Sequence, residues 1–156
     1  MTNYQLISIL SIDGNSGLKV VIILLSTQSK KREVIAFLNE LKAILENADF
    51  DIDTDLTMIS KKKQGDEQKY STPYTLLDLD YDTEDVVERL KELTVAEYSE
   101  TKIDKDDLNP PFLFVFGKDI YSKLVYVKLK MKGDQHRHVL CVSFHYAKES
   151  MTFPYA

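Results

Sequence analysis

The residues best suited to chemistry lie in the last third of the chain, on two segments in which polar and apolar side chains alternate. Tyr126, Lys128 and Lys130 alternate with valine and leucine on the first segment. Ser143 and His145 alternate in the same way on the second. Because successive side chains of a strand point to opposite faces, each polar set is predicted to share one face. We therefore predict an open sheet face that carries a tyrosine, lysines and a histidine.

Such a face contains the groups needed to cleave RNA without a metal ion. Attack by the 2′-hydroxyl of RNA on its own phosphate requires a base, an acid that protonates the 5′-oxygen, and cations that stabilise the charged phosphorane. His145, Tyr126 and the lysines can act as acid and base, and Lys128, Lys130 and Arg137 can bind phosphate. The predicted catalytic residues are Tyr126, Lys128 and His145, and no cofactor is predicted.

The register of the two strands follows from the turn that joins them. Gly133-Asp134 is predicted to be a two-residue hairpin turn. Tyr126 would then lie opposite Cys141, Lys128 opposite Val139, and Lys130 opposite Arg137. The reverse face is nearly all apolar and is predicted to pack on helices; it carries Val125, Val127, Leu129, Leu140 and Val142.

Two other interpretations apply to these side chains. An exposed strand face often carries lysine, arginine and tyrosine without any function. A metal site built from the three histidines is disfavoured, because His136 and His138 flank the turn, His145 lies far along the strand, and no carboxylate cluster accompanies them.

The segments before residue 112 are predicted to supply helices. Apolar residues at steps of three and four indicate an amphipathic helix that Ser29 caps, and a second helix that Asp82 or Thr83 caps. Residues 50–58 alternate between apolar residues and aspartate or threonine, which is typical of a half-buried strand. Residues 61–69 are predicted to form an exposed loop whose lysines are solvated or contact phosphate. Residues 100–107 are predicted to form an acidic linker.

Residues 1–28 stand apart from the main domain, which is predicted to span residues 29–156. Residues 6–10 and 20–25 are apolar and flank a turn-rich segment at residues 13–17. This composition favours a β-hairpin, and a loosely attached extension is the alternative.

The composition excludes several classes of protein. Five glycines and four prolines exclude collagenous and low-complexity chains. A single cysteine, Cys141, cannot form an internal disulfide. The apolar run at residues 20–25 is too short to cross a bilayer and the first residues do not resemble a leader, so a cytoplasmic protein with no membrane partner is expected.

The charge is unevenly distributed along the chain. The 156 residues contain 25 Asp and Glu against 20 Lys and Arg, yet residues 112–156 hold 7 basic and 3 acidic residues and all 3 histidines. This local basic surface is compatible with an anionic ligand such as RNA.

The last strands also resemble a known family. Four segments resemble the closing pattern of the MqsR-like branch of bacterial type II toxins: VFGK at 115–118, VYVKL at 125–129, LCVSFH at 140–145 and MTFPY at 151–155. The resemblance implies a RelE-like α+β fold, with an antiparallel sheet and amphipathic helices packed on one of its faces. It also implies metal-independent cleavage of mRNA, free or on the ribosome, and inhibition by a cognate antitoxin, with no DNA binding by the chain itself.

The resemblance and the strand pattern together give a set of RNA-binding candidates. The positions that match the family's functional residues are Lys118, Tyr126, Lys128 and His145, with Tyr98 as a more distant match. The predicted RNA-binding residues are Lys118, Lys130, Arg137, Ser143 and Tyr98.

Two departures from the family pattern leave other functions open. Ser99 stands where better-known members place a lysine, and apolar Leu113 or Phe114 replaces a glutamine. A non-catalytic RNA- or protein-binding module on the same fold is therefore the second hypothesis. A structural protein with no role in RNA binding is the third.

Overall fold

The computed structural model describes residues 4–13 and 17–156, with side chains from Ser26 onward. In this part of the chain, seven strands form one sheet in the order β1-β2-β4-β5-β6-β7-β3. All neighbours are antiparallel except β3 and β7, which are parallel. The strands are β1 (Tyr4–Asp13), β2 (Gly17–Thr27), β3 (Leu56–Met58), β4 (Tyr98–Lys102), β5 (Leu113–Ile120), β6 (Lys123–Lys132) and β7 (His138–Tyr146). The predicted α+β class is confirmed.

Four α-helices accompany the sheet within the described residues: α1 (Lys31–Leu45), α2 (Ile52–Asp55), α3 (Thr72–Leu79) and α4 (Thr83–Lys91). Two short 3₁₀ helices span Gly65–Tyr70 and Val95–Glu97. No helix in the described ranges is both long and apolar enough to cross a membrane.

The hydrophobic core lies between one face of the sheet and the helices α1 and α4. Val34 and Leu41 of α1 and Leu90 of α4 are fully buried in the same cluster as the inward side chains of β5, β6 and β7. The ring of Phe37 stacks on Phe114 with centroids 4.0 Å apart. Each fully buried apolar side chain contributes about 1.5–3 kcal/mol, so this face supplies most of the favourable free energy of folding.

The start of α1 differs from the predicted Ser29 cap. The helix begins at Lys31, and the Lys30 amide donates to the Glu33 carboxylate at 2.8 Å. Ser29 is buried instead, where its amide donates to the Tyr98 hydroxyl at 2.8 Å and its hydroxyl bonds that of Thr101 at 2.7 Å. These bonds attach the entrance of α1 to β4.

The predicted strand at residues 50–58 is wrong for most of its length. Residues 52–55 form the single turn α2, and only Leu56–Met58 are extended. The Asp51 carboxylate accepts from the Asp53 amide at 2.9 Å, and the Asp51 amide donates to the Asp55 carboxylate at 2.9 Å. Aspartate side chains that bond nearby amides favour turns and caps over a ladder, and this local bonding overrides the alternating pattern.

α3 covers the edge of β7 that the short β3 leaves open. β3 pairs with β7 only at residues 139–141. Beyond that point the Phe144 amide donates to the Thr72 hydroxyl at 3.2 Å, and the Tyr146 amide donates to the Thr75 hydroxyl at 3.0 Å. Side-chain hydroxyls thus replace a neighbouring strand and protect the sheet edge.

The N-terminal strands form an antiparallel hairpin that extends the sheet. β2 joins β4 through the pairs Ser26 with Lys102 and Thr27 with Thr101. Residues 14–16 of the predicted turn lie outside the described residues. β4 itself begins at Tyr98 and ends at Lys102, so residues 100–102 belong to the sheet and not to the predicted acidic linker.

The predicted register between β6 and β7 is wrong. Tyr126 lies opposite His145 and Lys128 opposite Ser143, whereas Leu129 lies opposite Cys141. Val142 is therefore the extra residue of a β-bulge, and residues 133–137 connect the strands where two residues were predicted.

The bulge also corrects the predicted faces of β7. Cys141 and Val139 were expected on the open face, but both are fully buried in the core. Ser143 and His145 remain on the same face as Tyr126 and Lys128, because an extra residue reverses the facing of a strand.

The bonds of the Tyr98 hydroxyl predict the effect of removing it. Tyr98→Phe leaves the buried Ser29 amide without its acceptor, and we expect the free energy of unfolding to fall by about 1–3 kcal/mol in urea denaturation. Tyr74→Phe is the matched control, because Tyr74 is 39% exposed, and a change within about 0.5 kcal/mol is expected there. Equal losses in both variants would contradict this role of Tyr98.

Candidate active site

Tyr126 and His145 stand side by side on the face of the sheet opposite the core. Their rings stack with centroids 5.1 Å apart and planes 14° apart. A cavity of about 340 Å³ flanks them on the β7 side, and another of about 270 Å³ lies toward β4. Both cavities are lined by both rings, so the pair forms the wall between two parts of one groove.

The residues around the first part of the groove are mostly cationic or hydroxylated. Its lining includes Lys61, Lys63, Thr72, Lys128 and Ser143. Lys61 and Lys63 come from the loop that was predicted to be either solvated or in contact with phosphate. The structure places them beside Lys128, which gives the acidic chain a locally positive groove.

The second part of the groove lies between β4 and the segment that follows β7. Ser99, Glu100 and Lys102 line one side, and Met151 and Thr152 line the other. This segment lies close to β5 because Gly117 has no side chain. A Cβ at Gly117 would lie 2.8 Å from a ring carbon of Phe153 and 3.0 Å from the sulfur of Met151.

His145 is arranged to accept a proton. Its Nδ1 lies 2.9 Å from the Tyr146 carbonyl oxygen, which can only accept, so Nδ1 carries the hydrogen and the lone pair of the neutral ring is on Nε2. Burial lowers the pKa of His145 below its ordinary value of 6.5, and the charges of Lys63 and Lys128 lower it further, against the bond to Tyr146. The imidazole is therefore neutral at pH 7.

Lys128 is the cation nearest to this pair along β6. Burial lowers its pKa, and the neighbouring charges of Lys102, Lys105 and Lys61 lower it further, while Asp104 acts in the opposite direction. Like charges held together in a half-buried groove repel one another. An anion that enters relieves this repulsion, so the arrangement favours a phosphate.

Lys102 is a site residue that the sequence analysis missed, because it was assigned to the acidic linker. Its ammonium lies 3.2 Å from the Glu100 carboxylate, and its side chain lines the same cavity as Tyr126. Burial would lower the pKa of Lys102, but Tyr126 and Glu100 together raise it. The alternation of Glu100 and Lys102 after Tyr98 was the available sequence signal for a strand with polar residues on one face.

The structure does not bring all predicted RNA-binding residues to the groove. Ser143 lines it opposite Lys128. Lys130 shares their face but is fully buried, with its ammonium 2.7 Å from the Asp104 carboxylate and 3.9 Å from that of Asp107. Its charge is already neutralised by the protein.

The other three predicted contacts lie elsewhere. Lys118 lies opposite Val125 on the helix-bearing face and pairs with Glu97 at 3.4 Å. Arg137 precedes β7, at the end remote from His145, and pairs with Glu40 at 2.5 Å. Tyr98, the first residue of β4, is fully buried. None of the three reaches the groove.

Cysteine chemistry and metal binding are not offered by the described side chains. Cys141 is fully buried, and burial raises the pKa of its thiol to about 12, so no thiolate is available. Within residues 26–156, no group of three or more His, Cys, Asp or Glu side chains is placed to hold a metal ion.

Comparison with known proteins adds no assignment to this groove. No protein-family model matches the chain, and neither a curated protein nor a solved structure matches it.

The environment of His145 predicts its titration. Proton NMR should give His145 a pKa below 6.5, and Lys128→Met should move that pKa upward, because a nearby positive charge disfavours the imidazolium. Lys31→Met, on the other side of the sheet, should leave it unchanged.

The lowered pKa of His145 determines the sign of its contribution to the pH dependence of stability. Between the folded-state pKa and 6.5, the unfolded chain binds more protons at His145 than the folded chain does. This residue should therefore make the free energy of unfolding fall as the pH drops through that interval. If the contribution of His145 to the free energy of unfolding rises on acidification, or if its pKa lies above 6.5, then His145 does not lie half-buried among these lysines.

Proposed function

We propose that this chain is a metal-independent endoribonuclease that cleaves mRNA, and that it acts as the toxin of a type II toxin–antitoxin pair with a RelE-like fold. One observation supports the activity above all others. A neutral histidine with a free Nε2 is stacked on a tyrosine in a groove lined by lysines. These are the acid, base and cation that cleavage by the 2′-hydroxyl requires.

The proposed reaction is an internal transfer of the phosphate. His145 Nε2 removes the proton of the 2′-hydroxyl, whose oxygen then bonds to the adjacent phosphorus. The bond from phosphorus to the 5′-oxygen breaks, and the Tyr126 hydroxyl protonates that oxygen. The products are a 2′,3′-cyclic phosphate and a free 5′-hydroxyl, and water later returns the proton from His145 to Tyr126.

The state of Tyr126 suits the acid in this scheme. Burial raises the pKa of Tyr126, while the charge of Lys102 partly offsets that rise, so the phenol is protonated at neutral pH. Lys128, with Lys61 and Lys63, would bind the phosphate and the extra charge that develops on it. Lysines that already repel one another stabilise a developing negative charge without having to move.

The assignment to a toxin family is supported by the resemblance and by where its segments lie. The VFGK, VYVKL and LCVSFH segments lie on the adjacent strands β5, β6 and β7. The MTFPY segment packs on Gly117 of the first of these, and Tyr155 bonds the Ser29 carbonyl at 2.5 Å. Segments separated in the sequence thus lie together, and all of them except VFGK contribute residues to the lining of the groove. The cognate antitoxin would be the natural protein partner.

A binding module without catalysis is the second candidate. It is favoured by the same set of lysines, because a positively charged groove retains RNA whether or not it cuts it. Retention that weakens steeply with salt, with no cleavage under any condition, would select this function.

The activity predicts cleavage of a long unstructured RNA in the presence of EDTA. We expect discrete fragments with cyclic-phosphate ends on a sequencing gel. His145→Ala and Tyr126→Phe should each slow cleavage by about 10²–10⁴-fold, which is the usual contribution of a general acid or base. Lys31→Met is the control for charge, and it should cut at the wild-type rate.

Two results would oppose this proposal. Cleavage that EDTA abolishes and a divalent ion restores would replace the proposed chemistry with a metal-dependent one. If RNA stays intact both in isolation and on translating ribosomes, the ribonuclease function is rejected and the binding module remains as the candidate function.

The proposed biological role predicts an effect on growing cells. Expression of the chain in bacteria should arrest growth, and Tyr126→Phe, Lys128→Met and His145→Ala should each relieve the arrest at equal protein levels. Circular dichroism of the purified variants would exclude unfolding as the cause of relief. Arrest that persists in all three would remove this groove from the mechanism.

A further inference from the structure

We infer that Lys102, held by Glu100 and Ser26, is a positioning residue that orients the Tyr126 hydroxyl for proton transfer. The inference rests on the proposed function and extends it to a strand that the predicted site did not include. Lys102 belongs to β4, which lies two strands away from the strand of Tyr126 in the sheet order.

On one side, Lys102 is held by Glu100, which is itself held by Ser26. One oxygen of the Glu100 carboxylate lies 3.2 Å from the Lys102 ammonium, and the other accepts a hydrogen bond from the Ser26 hydroxyl at 2.7 Å. Lys102 and Glu100 are only 37% and 31% exposed. A lysine side chain held in this way loses much of the freedom that weakens surface ion pairs.

The other side of Lys102 faces the cavity that Tyr126 also lines. Both residues line the part of the groove between β4 and the segment after β7, and the charge of Lys102 lowers the pKa of the phenol. An ammonium has donors and no acceptor, so it attracts the phenol oxygen and not its hydrogen. The hydrogen of the phenol then points away from Lys102 and is free to be donated to the 5′-oxygen of a bound RNA.

The charges of this chain of contacts also affect the proton of Tyr126. Lys102 lowers the pKa of Tyr126, and Glu100 raises it, against a background of burial that raises it. Glu100 therefore has two effects, because it holds the lysine in place and partly offsets its charge. The balance keeps the phenol protonated while making it a stronger acid than burial alone would allow.

The register of the sheet places Lys102 on the face that carries the groove. It lies opposite Leu113 of β5, on the same face as Gly117 and Tyr126. On its other side it lies opposite Ser26 of β2, in one of the two residue pairs that join the N-terminal hairpin to the rest of the sheet. The hairpin thus contributes the hydroxyl that holds Glu100.

A double-mutant cycle on RNA cleavage tests this assignment. Lys102→Met should lower kcat about tenfold with little change in KM, and it should have almost no further effect in a Tyr126→Phe background, as expected for residues that act as a unit. Lys102→Arg should restore most of kcat, because it keeps the charge and the donors. A raised KM with the same loss in both backgrounds would instead make Lys102 a phosphate contact and overturn the inference.

A second measurement does not depend on cleavage. In protein labelled with ¹³C-tyrosine, the signal that is lost in Tyr126→Phe reports the ionisation of Tyr126. Lys102→Met should move its titration to higher pH, and Lys31→Met should not. Lys102→Gln replaces the methionine variant if the latter does not fold.

The two measurements separate the failure of this inference from the failure of the proposed function. If Tyr126 titrates at the same pH in Lys102→Met as in the wild type, the inference is overturned even if the protein cuts RNA. If Tyr126 titrates at higher pH in Lys102→Met but the protein cuts no RNA, the placement of Lys102 near Tyr126 stands and the ribonuclease function is rejected.

Discussion

The groove depends on the β-bulge at Val142. Cys141 and His145 are an even number of residues apart, so a regular strand would place them on the same face. The extra residue lets β7 bury Cys141 and Phe144 in the core and still present Ser143 and His145 on the open face. Without it, either the histidine would enter the core or the cysteine would leave it. One irregular backbone position therefore satisfies the hydrophobic core and the candidate site together.

On the neighbouring strand β6, a difference in surroundings gives two lysines different roles. Lys128 and Lys130 are two residues apart on one face of β6. Asp104 and Asp107 neutralise Lys130, which is fully buried, and this ion pair anchors the loop after β4. Lys128 faces other cations, so its charge remains available to an anion. Loss of either member of a buried pair leaves an uncompensated charge, so Lys130 is expected to matter for stability rather than for binding.

The sequence predicted those features that depend on strong periodic patterns. The amphipathic helices and the facing of Tyr126 and Lys128 follow from side-chain spacing alone. The register did not, because a five-residue connection and a bulge are set by packing against the helices. Aspartates that bond neighbouring amides similarly replaced the expected strand near Asp53 with a helical turn. Lys102 was missed because an acidic composition concealed a short strand, whose position is fixed only by its long-range partners in β2 and β5.

The contact between Tyr155 and Ser29 has a consequence for the order in which parts of the protein fold. These residues are 126 positions apart, and residues 151–155 both wall the groove and lie against Gly117. Bringing together residues so far apart in the sequence costs more loop-closure entropy than pairing neighbouring strands, so the hairpins of β5, β6 and β7 are expected to form before this segment joins them. Until then, the part of the groove beside Lys102 lacks one side. The groove is therefore completed late in folding, after most of the core has formed.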